Sequence, residues 1–139
     1  MTRRDENGAV STEFAVVMTA FLTAFMLLVV FAGRVAQAEN DVRGAAQEAA
    51  RAASLAGTPD QASIQAQQVA AANLTTSGLS CANGFDVQVG LDRFQPGGWV
   101  SVTITCTASF SDLAGLAVPA SRTFSGTATE VIDTYRSDM

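Results

Sequence analysis

The pattern of apolar and polar positions divides the chain into three stretches. From Phe14 to Gly33 no residue is charged, and apolar side chains fall on every side of a helix. These 20 residues, at ~1.5 Å rise each, give a helix of ~30 Å, the thickness of a bilayer hydrocarbon core. The pattern then changes without a break. RVAQAENDVRGAAQEAARAASLAG (34–57) is rich in Ala and spaces Val35, Ala38, Val42, Ala45, Ala46, Ala49, Ala53 and Ala56 as one narrow seam. Glu39 and Arg43 stand at i, i+4 with the acid first, the favourable order for a helix. One helix is therefore predicted from about residue 12 to 56, with Gly57 as its C′ residue. Seams of small residues admit close neighbours. This one either covers the chain's own sheet or packs in part on other subunits.

A second, shorter helix is predicted from Thr58 to about Asn73. Thr58 caps it, Pro59 takes the first helical position, Asp60 suits the dipole and Gln61 completes a capping box. Ile64, Val69 and Leu74 are its apolar residues, and Thr75 to Gly78 end it. Period-2 alternation follows. Phe85, Val87, Val89 and Leu91 alternate with polar positions. Pro96-Gly97-Gly98 makes a turn, and Val100, Val102, Ile104, Cys106, Ala108 and Phe110 pair back antiparallel. A third strand is expected over about 122–133, with Phe124, Gly126, Ala128 and Ile132 on one face. The connection through Leu113, Leu116 and Val118 is expected to be a short turn or helix on the sheet. Three strands with one apolar face need a cover, and the long helix supplies it. The fold class is α+β: a long N-terminal transmembrane helix, packed by its C-terminal half on a small antiparallel sheet, with a second short helix.

Composition narrows the chemistry. The chain has no His, which removes His-based nucleophiles, ligands and pH switches. All 8 basic residues are Arg, and they do not cluster in a chain of net charge −5, so nucleic-acid binding has no footprint. Asp86, Asp92, Asp112 and Asp133 sit on separate segments without metal-loop spacing, and the abundant Ser and Thr have no accompanying base. No enzymatic activity, cofactor or metal site is expected. Trp99 beside the turn reads as packing, and Glu130 as a solvated edge residue. Asn73-Leu74-Thr75 has the form of a glycosylation sequon, which short sequences reach by chance.

Two cysteines suit a single bridge in an oxidising compartment. Cys106 points inward in the strand alternation and Cys81 precedes the first strand, so a bridge would staple that loop to the second strand. It would close a loop of ~25 residues, worth roughly 3.5 kcal/mol in the chain-entropy account. The alternative is two buried thiols.

The head of the apolar run carries the sharpest signal. Gly8 is followed by Ala-Val-Ser-Thr-Glu-Phe, so Glu13 stands fifth after Gly8 and one residue before the uncharged run. A carboxylate at the mouth of a membrane span is costly. Gly, four residues, Glu, an aromatic and then an apolar run resemble a class III signal, which type IV pilins and pseudopilins carry. The Glu13-Phe14 pair and the Ala-rich continuation are similar to TadE-like minor pilins of the Tad/Flp branch. One departure is the absence of a Pro in the first half of the span.

The resemblance, resting mainly on roughly the first 60 residues, implies a type IV pilin-like fold and cleavage between Gly8 and Ala9 by a prepilin peptidase. It implies that 1–8 is a cleaved leader, 9–33 the membrane segment and 34–139 an extracytoplasmic domain. It places the protein in the bacterial cytoplasmic membrane, single-pass, N-terminus inside, with other pilins and the assembly platform as partners. It also implies that Glu13 and Phe14 serve assembly, with Glu13 paired to the new α-ammonium of Ala9 on an adjacent subunit. Two other readings stand beside it. Ala36-Gln37-Ala38 has the form of a signal-peptidase site, although an apolar run of this length favours a retained span. A single-pass anchor carrying an extracytoplasmic binding module is the other. For Glu13 alone, the simpler alternative is a helix start capped by Ser11 or Thr12, where an acid suits the dipole.

Overall fold

A computed structural model describes residues 6–109 and 121–135, with side chains described from residue 12 onward. In chain order the elements are α1 (Glu6–Leu55), α2 (Pro59–Thr76), β1 (Cys81–Arg93), β2 (Trp99–Ser109) and β3 (Ser121–Val131). The fold is α+β. The connection through Leu113, Leu116 and Val118, and Phe110 before it, lie outside the described residues, as do Met1 to Asp5 of the leader. The chain divides into two compact units, residues 1–35 and 36–139.

In the first unit the helix is already formed at Glu6, earlier than the polar residues before the span suggest. Ser11 and Thr12 are therefore interior helical residues, not caps. From Phe14 to Val30 the large apolar side chains are exposed, Phe14 to 66%. Within it the helix is long and apolar enough to cross a membrane. Exposure on every side distinguishes it from a soluble core helix, which would be mostly buried. Thr19 and Thr23 donate their hydroxyls to the carbonyls of Ala15 and Thr19, each at 2.8 Å. Those bonds satisfy both hydroxyls within the helix, which suits an apolar surround.

The second unit is a three-stranded antiparallel sheet in the order β1-β2-β3, with α1 and α2 as its helical layer. The seam on α1 is buried at Ala38, Val42, Ala45, Ala46, Ala49 and Ala53, Ala50 joins it, and Ala56 is buried just past the helix end. The seam comes close to the sheet at Gly126 of β3, where an added Cβ would meet the backbone of Val42 and Arg43. Central β2 supplies the densest core, with Val100, Val102, Ile104 and Cys106 all fully buried.

Several boundaries differ from the sequence expectation. α1 ends at Leu55, and Gly57 is absent from the positive-φ glycines, so no left-handed cap closes it. A side chain at Gly57 would instead crowd the Gln61 side chain, with its Cβ 3.1 Å from Oε1. α2 continues to Thr76, because Thr75 and Thr76 satisfy their hydroxyls on the carbonyls of Ala71 and Ala72. Its buried row is Ala62, Ala66, Ala70 and Leu74, while Ile64 is exposed. A small-residue row brings a helix closer to its support than a branched one, which turns Ile64 outward. The start of α2 follows its sequence, with Thr58 accepting from the Gln61 amide at 3.3 Å and Pro59 at the N-terminus.

β1 begins at Cys81, four residues before the alternation becomes regular. The β1–β2 register shifts between Cys81 and Phe85. The turn to β2 forms at Gln95-Pro96-Gly97-Gly98, closed by the Gly98 amide on the Gln95 carbonyl at 2.8 Å. Gly97 has φ 76°, the left-handed value that a type II turn asks of its third residue. Ile132, just past β3, bonds this turn in both directions: its amide to Gly98 and its carbonyl from Gly97. That locks the C-terminal side of the sheet to the β1–β2 turn and buries Ile132.

Candidate functional site

The head of α1 brings together the residues that the sequence marks. Gly8 and Ala9 lie in the helical backbone of α1. Glu13 is exposed and forms the eighth residue of the helix as described, and Phe14 follows it, also exposed. A macrodipole acts mainly on the first turn, so Glu13 lies past the position where dipole stabilisation explains an acid. Charge and apolar run are thus adjacent on one continuous helix.

The two faces of this segment differ. On a helix advancing 100° per residue, Phe14, Phe21, Phe25 and Leu28 share one side. Thr12, Val16, Thr19 and Thr23 share the other, where short side chains keep the helix slim. Phe is suited to lipid contact, and short residues to the approach of another helix.

Cys81 and Cys106 form a disulfide across a sequence separation of 25, with Cα atoms 5.4 Å apart. Cys106 is buried on β2 and Cys81 is half-buried at the head of β1. The bridge therefore joins the irregular start of β1 to the core.

The outer face of the sheet is lined with hydroxyls. Across β2 and β3 the register opposes Ser101 to Thr129, Thr103 to Thr127, Thr105 to Ser125, Thr107 to Thr123 and Ser109 to Ser121. Thr103 and Thr127 bond at 2.9 Å, and Thr107 and Thr123 at 2.8 Å. Thr105 donates to Ser125 at 3.5 Å. Cross-strand hydroxyl pairs of this kind stabilise a sheet.

The remaining candidate residues are dispersed. Asp86 and Asp92 lie on β1 and Asp133 follows β3, while Asp112 falls outside the described residues. Among the described residues no group of three or more Cys, Asp or Glu is gathered in metal-binding proximity. Trp99 is half-buried at the start of β2, opposite Val131 and Arg93. Glu130 is half-buried and lines a polar groove with Gln47, Glu48 and Arg51 of α1, more than the solvated edge residue its position suggests. Arg122 stacks over the Phe124 ring, 5.8 Å from its centroid. The sequon lies inside α2, where the Asn73 amide donates to the Val69 carbonyl at 3.0 Å and the Thr75 hydroxyl to Ala71. Its acceptor nitrogen is occupied and its backbone helical.

A slender apolar helix with a charge at its head leads into an Ala-packed helix–sheet domain, an arrangement compatible with a single-pass membrane anchor. Residues 8–51 match the family model described as TadE-like protein, so this segment is similar to TadE-like proteins. No curated protein and no solved structure matches the chain.

Proposed function

We propose that this chain is a minor pilin of a Tad-type pilus, cut after Gly8 by a prepilin peptidase and acting in assembly, priming or tip formation. The peptidase removes the leader on the cytoplasmic side, the helix from Ala9 anchors the subunit, and the domain after Gly33 stands outside. Its activity is helix packing and not catalysis. The hydroxyls of the outer sheet face that bond do so with one another, as expected of a structural surface.

The observation that carries this reading is Glu13: an exposed acid inside a continuous helix, one residue before an exposed apolar run. In the bilayer it can stay near the headgroups. Within a bundle of such helices it loses that water, and an unpaired buried charge costs several kcal/mol. Cleavage after Gly8 creates the missing cation, the α-ammonium of Ala9. Pairing with that group on a neighbouring subunit is satisfied at one axial offset, so the charge sets register more than affinity. Two further observations favour the reading. Ser11 and Thr12 are interior helical residues, which takes away the capping role that would make Glu13 incidental. The rival cut after Ala38 would fall inside α1, where Ala38 is 3% exposed and the bond is not presented in extended form.

Glu13→Ala in a strain carrying the whole pilus system tests it. The variant should be made, inserted and cleaved, yet fail to co-isolate with pilus components. Normal processing together with normal co-isolation and piliation would refute the assembly role.

A further inference from the structure

The irregular start of β1 leaves one peptide bond open to chemistry. Cys81 stands opposite Ala108 and Phe85 opposite Cys106, while Ala82, Asn83 and Gly84 have no ladder partner in the register. Both ends of this short segment are held at the same residue of β2. Cys81 is bound to Cys106 through the disulfide, and Phe85 is paired with Cys106 through the ladder. The three residues between are exposed. Gly84 has φ +80°, and a Cβ placed on it would meet nothing within 4 Å. The other asparagines of the chain, Asn7, Asn40 and Asn73, all lie in α-helices. Asn73 also has its side-chain amide engaged by a carbonyl.

We propose that Asn83–Gly84 is a self-modifying site that converts to aspartate and isoaspartate. The backbone nitrogen of Gly84 attacks Cγ of Asn83 and forms a C–N bond. The Cγ–Nδ2 bond breaks, and the nitrogen leaves as ammonia with the proton lost from the Gly84 amide. The product is a five-membered succinimide. Water opens either of its two carbonyls, returning an aspartate or an isoaspartate whose chain runs through Cγ. No oxidant or reductant takes part.

The fold favours the first step for three reasons. Glycine presents no Cβ to obstruct the approach and rotates freely about its own bonds. Neither Asn83 nor Gly84 is fixed by the ladder. Exposure supplies the water. A helix opposes the second of these, because it holds the backbone rigid and engages its amides. The segment is clamped at both ends, so an extra backbone carbon is absorbed locally and the buried core of β2 is undisturbed. The lasting change is one additional negative charge on a protruding segment.

The test is to age the full-length protein in detergent micelles, with its disulfide intact, at mildly alkaline pH. Peptide mapping and isoaspartyl methyltransferase labelling then follow each asparagine. The Asn83 peptide should gain the mass difference of NH replaced by O, split into two isomers and label in one of them. Peptides with Asn40 and Asn73 should not change. Asn83→Gln should abolish the conversion while the Cys81–Cys106 bridge still forms. The reduced, urea-unfolded chain gives the intrinsic rate, and the folded protein should react within about tenfold of it, as an unprotected segment does. If the unfolded chain converts while the folded protein stays unmodified, the fold protects the site and the proposal fails. Absence of conversion in both states overturns it equally.

Discussion

Gly126 lies directly against the backbone of Arg43: a Cβ added to Gly126 would stand 2.9 Å from the Arg43 Cα and 3.0 Å from the Val42 carbonyl oxygen. Those neighbours are main-chain atoms and cannot rotate aside. The helix therefore rests on β3 at a point where only hydrogen fits. Gly126→Ala is expected to destabilise the domain by about 1–3 kcal/mol, the cost of overpacking a tight core. For a domain of this size that lowers Tm by roughly 4–8 °C per kcal/mol, readable by circular dichroism in detergent. Gly44 lies on the same helix with nothing within 4 Å of its Cβ position. Gly44→Ala should leave Tm unchanged or raise it, because Ala is the better helix former.

The disulfide ties an irregular segment to a fully buried strand residue. Non-reducing peptide mapping should recover Cys81 and Cys106 as one crosslinked pair. Replacing both with Ala is expected to cost about 2–4 kcal/mol, since it frees the chain-entropy constraint on the unfolded state. Two thiols that alkylate after denaturation without reductant would contradict the pairing and weaken the placement of the domain in an oxidising compartment.

The ion pair Glu39–Arg43 shows how little a surface charge contributes here. Its nitrogen and oxygen approach to 2.6 Å, yet the two side chains are 44% and 61% exposed. Glu39→Ala should cost no more than about 0.5 kcal/mol. A larger loss in thermal unfolding would mean that Glu39 supports the packing of α1 in some other way.

The sequence made the large elements legible because each rests on a repeated signal. The uncharged run after Glu13, the small-residue seam through Val42 and Ala49, and the alternation of β2 all recur over many residues. What escaped depends on single contacts. Nothing local distinguishes Gly126, which faces a helix backbone, from Gly44, which faces open space. Ile64 is one of the few apolar residues of α2, yet it is exposed, and a row of alanines forms the buried face instead. The beginning of β1 was hidden because Cys-Ala-Asn-Gly has no alternation, although Asn-Gly itself is a turn signal that marks the irregularity. Helix α1 started early because Glu6 to Thr12 contains no breaker but Gly8. At the candidate site, Glu13 stands out by its place at the mouth of the uncharged run, and Phe14 is marked only by the resemblance. The hydroxyl pairs of the outer face needed the β2–β3 register to be seen as pairs.

The account turns on where the mature chain begins. A cut on the cytoplasmic side of the span separates a pilin from an ordinary membrane anchor bearing a binding module, and it supplies the ammonium that Glu13 requires. The measurement is the intact mass of the protein extracted from membranes of cells with an active prepilin peptidase, beside the same protein with Gly8 replaced by a bulky residue. A chain beginning at Ala9, with the Gly8 variant left uncut, is the predicted result. A chain that retains Met1, or one that begins after Ala38, would contradict it.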